Sequence, residues 1–166
     1  AGFLAALRRS KVPLKNKTVL LLGAGGAARA LAGACGQAGV RSVTVLSRRA
    51  ASGRACAQLA GKRGRWAMLS PAVLTQLSAE ADLVVNSLPG ALLGQRFGAC
   101  LVRRKAWAID ISYTPTETAF CKAAKKQGWQ TQNGLNMLIE QGFLAFELWF
   151  KKNPSRAVVQ ATLREV

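Results

Sequence analysis

The sequence predicts an α/β fold: a doubly wound parallel sheet of about six strands with helices on both faces. Three observations carry this expectation. Short apolar runs alternate along the chain with longer stretches whose apolar residues recur at helical spacing. The runs are nearly continuous in apolar character, as in strands covered on both faces. Hydrophobic residues make up 50% of the 166, which provides a core for one domain spanning 1–166 and excludes intrinsic disorder.

The elements follow in order. Ala1 to Leu7 is apolar, with Arg8, Arg9 and Lys11 after it. A secretory signal has the opposite order, so an amphipathic first helix is predicted. Thr18 to Leu22 is a buried first strand that ends at Gly23, and Ala27 to Gln37 an alanine-rich helix closed by Gly39. Ser42 to Leu46 is the second strand and Ala50 to Ala60 the next helix. Trp66 to Leu69 is a short third strand, and Ser70-Pro71 opens a helix with proline at its favoured first-turn position. Asp82 to Val85 and Trp107 to Ile111 are strands four and five, with Ser87 to Gly98 the loopiest stretch. Thr114-Pro115 is expected to start a helix that runs to about Gln127 and stops at Gly128. Trp129 to Thr131 forms a sixth strand. Leu135, Leu138, Ile139, Phe143 and Phe146 mark a long helix from Leu135 to Lys152, which Asn153-Pro154 breaks before a short terminal one.

The segment with the clearest chemistry joins the first strand to the next helix. Gly23-Ala24-Gly25-Gly26-Ala27-Ala28 reads G-x-G-x-x-A. The first glycine permits a tight turn, the second lets the backbone approach a pyrophosphate, and small Ala28 lets helix and strand pack closely. Free amides and the positive end of the helix dipole then face the anion. In this position the loop predicts dinucleotide binding and a Rossmann-type sheet. NAD-binding versions place an acid about 20 residues on, at the end of the second strand. Here Ser47-Arg48-Arg49 stands there instead. A carboxylate would repel a 2′-phosphate, whereas a guanidinium binds it bidentately. NADP is therefore predicted over NAD. The alternative is that these arginines belong to a generally basic surface.

That surface is unusual. Lys and Arg number 24 against 7 Asp and Glu, for a net charge of +17. The basic residues are scattered in short groups, including Arg54, Lys62, Arg63 and Arg65, then Arg103, Arg104 and Lys105, then Lys122, Lys125 and Lys126. A specific nucleic-acid binder concentrates its charge on one face with stacking aromatics or a reading helix. The dispersal argues for a solvated surface that adheres to polyanions without specificity. No apolar run approaches the roughly 18 residues that suggest a membrane span. Cys35, Cys56, Cys100 and Cys121 are isolated and histidine is absent, so no metal site is proposed. Such thiols read as small buried hydrophobes in a reducing cytoplasm.

Several motifs, in order along nearly the whole chain, resemble the C-terminal half of shikimate dehydrogenases. Gly23-Ala24-Gly25-Gly26-Ala27 is similar to that family's glycine loop, and Ser47-Arg48-Arg49 resembles its Asn-Arg-Thr with two departures. Val85-Asn86-Ser87-Leu88-Pro89-Gly90 resembles Val-Asn-Ala-Thr-Pro, one residue short and with Leu88 in place of threonine. Asp110-Ile111-Ser112-Tyr113-Thr114-Pro115 with Thr118 resembles Asp-x-x-Tyr-x-Pro-x-x-Thr. Asn133 to Gln141 resembles Asn-Gly-Leu-x-Met-Leu-x-x-Gln, and Phe146-Glu147-Leu148-Trp149 fits as well. Tyr113 and the Gly134 to Gln141 segment disfavour other enzymes that share the glycine loop, such as folate dehydrogenases and glutamyl-tRNA reductase.

The resemblance implies a set of roles. Gly23, Ala24, Gly25, Gly26 and Ala27 would hold the pyrophosphate. Ser47, Arg48, Arg49 and Ser52 would surround the adenosine 2′-phosphate, with Arg48 its main ligand. Ile111 and Gly134 would meet the nicotinamide end, with Met137 beside the ring, and Tyr113 and Gln141 would reach shikimate. The plainer alternatives are core for Ile111 and Met137, a capping hydroxyl for Tyr113 and an exposed helix position for Gln141. The family's reaction is hydride transfer between NADPH and 3-dehydroshikimate. Its lysine and aspartate acid–base pair belongs to an N-terminal substrate domain, and Ala1-Gly2-Phe3-Leu4 resembles the helix that begins just after the aspartate. The implied role of these residues is therefore cofactor binding, with no catalytic residue assigned and turnover dependent on a substrate domain. Without that domain, an apolar face on the first and long late helices is expected, with a homodimer as one outcome. A non-catalytic NADP-binding or regulatory module is the alternative, and a basic nucleic-acid-binding protein a remoter one.

Overall fold

The computed structural model describes residues 2–102 and 105–162; Ala1, Arg103, Arg104 and residues 163–166 lie outside the described residues. Among the described residues six parallel strands form one sheet: β1 (Thr18–Leu22), β2 (Ser42–Ser47), β3 (Gly64–Met68), β4 (Leu83–Asn86), β5 (Trp107–Asp110) and β6 (Gln130–Gln132). Their order is β3-β2-β1-β4-β5-β6. The helices are α1 (Gly2–Arg9), α2 (Gly26–Gln37), α3 (Ala50–Gln58), α4 (Pro71–Ser78), α5 (Ala91–Ala99), α6 (Ala119–Lys126), α7 (Leu135–Phe150) and α8 (Arg156–Thr162). This is the doubly wound Rossmann-type arrangement that the sequence predicts.

Side chains alternate across a strand, and β1 divides the core accordingly. Val19 and Leu21 join Phe3 and Leu7 of α1, Leu31, Ala32 and Cys35 of α2, and Cys56 and Ala57 of α3. Leu20 and Leu22 join Leu74 of α4, Phe97 of α5, and Phe120 and Ala124 of α6. The outer ends of β1 and β4 are tied as well: the Asp82 carboxylate accepts the Thr18 N–H at 2.9 Å and pairs with Lys17 at 3.1 Å.

The structure corrects three expectations. Most of Ser87 to Gly98 is not loop, because α5 occupies Ala91–Ala99. Its glycines allow close packing on α6: a Cβ at Gly94 would lie 3.2 Å from the Phe120 Cβ, and one at Gly98 would lie 2.6 Å from the Phe120 carbonyl oxygen. Thr114-Pro115 does not start a helix. That peptide bond is cis, and α6 begins at Ala119, where the Thr118 hydroxyl accepts the Cys121 N–H at 3.2 Å. The first helix has no exposed apolar face either, since Phe3 and Leu7 are buried. Of these two helices it is α7 that carries exposed apolar side chains, with Leu148, Trp149 and Phe150 prominent among them. The remaining boundaries agree within a few residues. The long helix stops at Phe150 because Lys151 turns left-handed, at φ 53°.

Candidate functional site

In this strand order the chain leaves β1 toward β2 and β3, then crosses to β4 on the other side. Doubly wound sheets bind ligands at the carboxyl ends of the strands at such a switch point. The glycine loop lies there. Gly23 has φ +106° and donates its N–H to the Leu46 carbonyl at 2.8 Å. A Cβ at this position would approach Ser87 Oγ to 2.6 Å. The same Ser87 hydroxyl donates to the Leu22 carbonyl at 2.6 Å. The end of β1 is thus stitched to the ends of β2 and β4.

Gly25 caps α2 with no side-chain hydrogen bond, so the first-turn amides are left unclaimed by any capping side chain. A Cβ at Gly25 or Gly26 would meet nothing within 4 Å. The loop therefore borders open space, as close approach of a pyrophosphate requires, and Ala28 is fully buried where α2 meets the sheet.

At the end of β2 the predicted residues separate. Ser47 is buried, its hydroxyl donating to the Arg49 carbonyl at 2.9 Å and accepting Trp66 Nε1–H at 3.0 Å. Ser52 is exposed and donates to the same carbonyl at 3.2 Å. Both hydroxyls thus secure the turn into α3. Arg49 is the capping residue of that helix. Arg48 is exposed and lines a cavity of about 270 Å³ with Leu69, Pro71, Leu88, Leu93 and Arg96.

At the other end of the crevice, backbone meets backbone. Gly134 donates its N–H to the Ser112 carbonyl at 2.9 Å, and a Cβ on it would overlap the Ile111 carbonyl. Ile111 and Met137 are half-buried against the same core cluster. Two buried side chains turn the strands out beneath this region: the Asn86 side-chain oxygen accepts the Leu88 N–H at 3.2 Å, and the Asp110 carboxylate accepts the Ser112 N–H at 3.0 Å. Ile111, Gly134 and Met137 are thus brought together. Tyr113 is exposed in the loop after β5. Gln141, also exposed, lies against Gly2 of α1.

No buried thiol is activated as a nucleophile. Burial pushes the Cys35 thiol up to about 12 and raises those of Cys56 and Cys121 as well. Among the described residues no helix is long and apolar enough to cross a membrane, and no group of three or more Cys, Asp or Glu is placed to hold a metal ion.

Similarity to known proteins decides the family. Residues 134–164 match the family model described as the Shikimate 5'-dehydrogenase C-terminal domain. The shikimate dehydrogenase (NADP(+)) of Lactococcus lactis subsp. cremoris is 34% identical over 182 residues, covering 99% of this chain and 62% of its own length. The chain belongs to the shikimate dehydrogenase family.

Solved structures of that family agree with the fold. The Thermus thermophilus enzyme, in complex with NADP(H) and shikimate, superposes with a TM-score of 0.81 at 34% identity, over 99% of this chain and 60% of that one. The Listeria monocytogenes enzyme, in complex with shikimate and NAD, gives 0.83 at 26% identity, over 98% and 61%. The chain spans 62% and 57% of the lengths of two curated relatives, and it corresponds to the C-terminal part of the shikimate dehydrogenases.

Sequence reasoning did not find Arg96 or the cavity it shares with Arg48. The signal is faint: Leu93, Phe97 and Leu101 recur every four residues, a helical spacing masked by the glycines between them.

Proposed function

We propose that residues 1–166 form one NADP(H)-binding domain of a shikimate dehydrogenase-type oxidoreductase. The observation that carries this is the glycine loop at the switch point, with open space at Gly25 and Gly26 and Arg48 where an NAD-binding relative would have an acid. Gly23 to Ala27 hold the pyrophosphate against the start of α2. Arg48 takes the 2′-phosphate, with Ser47, Arg49 and Ser52 shaping the turn that presents it. Ile111, Gly134 and Met137 form the floor and edge of the nicotinamide pocket. When bound, the cofactor supplies the hydride for reduction of 3-dehydroshikimate to shikimate. Tyr113 and Gln141, exposed beyond that pocket, are the groups available to a substrate.

The acid–base groups of such a reaction come from a substrate domain, outside these residues. General acid–base catalysis is worth roughly 10²–10⁴-fold, so these residues alone bind cofactor without appreciable turnover. Left alone, the exposed apolar side chains of α7 favour a homodimer. The buried thiols suit a reducing cytoplasm.

Calorimetric titration with NADP and NAD tests the assignment. The expected result is saturable binding with NADP preferred, and turnover of shikimate only when a family substrate domain is added in trans. Binding of neither dinucleotide overturns the reading. Tight NADP binding without turnover in the presence of that domain would favour a regulatory module.

A further inference from the structure

Arg48 leaves the sheet at the end of β2, and Arg96 projects from α5, yet both line one cavity of about 270 Å³. The rest of its wall is apolar or neutral, with Leu69, Leu88 and Leu93 contributing, and it holds no carboxylate. Among the described residues no ion pair engages either arginine. The Arg96 guanidinium lies 6.0 Å from the centroid of the Phe97 ring. Meanwhile the hydroxyls of Ser47 and Ser52 are both committed to the Arg49 carbonyl, and Arg49 is not part of the cavity wall. A phosphate monoester carries about −1.5 to −2 charge and three acceptor oxygens. In this cavity it meets no free serine from the β2 turn, and one guanidinium leaves part of that charge unmatched.

We propose that Arg96 is a specificity-determining residue that grips the adenosine 2′-phosphate together with Arg48. The inference rests on the cofactor reading above and goes beyond it by placing half of the phosphate recognition on α5. The apolar wall between the two arginines receives a face of the adenine, whose binding is shared by phosphorylated and unphosphorylated cofactors. Preference between them then depends on the two guanidinium groups.

The test uses the full chain and two nucleotide fragments, 2′,5′-ADP and 5′-AMP, titrated calorimetrically against the parent, Arg96→Gln, Arg96→Lys and Arg48→Gln. Arg96 is exposed, so circular dichroism of its variants should match the parent. Arg96→Gln is expected to weaken 2′,5′-ADP about tenfold, the effect of losing one charge-assisted hydrogen-bonding group, while 5′-AMP changes by less than about twofold. Arg96→Lys should recover part of the loss, since it restores charge without the planar fork. Equal losses for both fragments would make Arg96 a base-stacking residue and overturn the proposal. So would an unchanged 2′,5′-ADP affinity in Arg96→Gln alongside a loss in Arg48→Gln, which would leave the cofactor reading standing. A parent chain that binds neither fragment would defeat the cofactor reading, and this inference with it.

Discussion

The two ends of the crevice are built on different principles. At the proposed nicotinamide end the backbone of Gly134 is pressed against that of Ile111 and tied to Ser112, with no room for another atom. At the proposed adenosine end exposed arginine side chains border a cavity, and the serines beneath them serve the turn into α3. A residue at the first end is constrained by the fold, so its substitution is felt as stability. A residue at the second end is free of such packing and, on the proposed function, answers to the cofactor, so its substitution should be felt as affinity. The same motif-level resemblance covers both ends. Only the structure separates them.

The comparison breaks most readily at Gly134. A methyl group there overlaps the Ile111 carbonyl, and relief requires the start of α7 to move away from the loop after β5. Gly134→Ala is expected to cost about 3 kcal/mol, at the upper end of overpacking effects, and to lower the melting temperature by roughly 10 °C. Thermal denaturation followed by circular dichroism measures this. An unchanged melting temperature would mean that the nicotinamide end has slack, and the contrast between the two ends would go.

Gly23→Ala comes next, at about 2 kcal/mol, because a non-glycine residue at φ +106° is strained and its methyl also crowds the Ser87 hydroxyl. Urea denaturation provides the value. At the adenosine end Arg48→Ala should do the opposite: about a tenfold loss of NADP affinity, equal to 1.4 kcal/mol, with stability altered by less than about 0.5 kcal/mol. Titration and denaturation of the same sample decide it, and a variant that loses stability along with affinity would show that Arg48 helps to hold the fold.

The sheet was legible in the sequence because strands buried on both faces are apolar in nearly continuous runs, as Val19 to Leu22 and Leu83 to Val85 are. The glycine loop was legible because Gly23 answers to a backbone conformation that few other residues adopt. Less legible were features that depend on distant neighbours. Gly94 and Gly98 read as loop, yet they are the points where α5 closes on α6. Thr114-Pro115 carries a helix-start signature, but α6 begins only at Ala119, where Thr118 supplies the cap. Ser47 has the right chemistry for a phosphate and spends it on Arg49 and Trp66. In each case local preference was outweighed by a partner far away or by a turn that the motif does not encode.

The smallest expected effect shows how far the packed end extends along α7. Glu140 lies one turn beyond Met137 with a side-chain exposure of 6%, and Arg156 of α8 binds both of its oxygens, at 2.6 and 3.0 Å. The same guanidinium stacks 4.1 Å from the Phe143 ring centroid. The hydrogen bond from Arg156 holds the Glu140 carboxyl below its ordinary value of 4.5, against the opposing effect of burial, with further help from the charges of Arg156 and Arg9. A depressed folded-state value means that this stability is complete above the unfolded glutamate range. It declines as the pH falls below about 4.3 and is gone once the pH passes beneath the depressed value. Arg156 is half exposed, so water screens part of the interaction, and Arg156→Ala should cost about 1 kcal/mol at neutral pH. Denaturation midpoints between pH 7 and 3 should converge for parent and variant at the acid end. Curves that stay parallel throughout would show that Arg156 stabilises α7 by packing on Phe143 alone, and that electrostatic pairing adds nothing to this part of the helix.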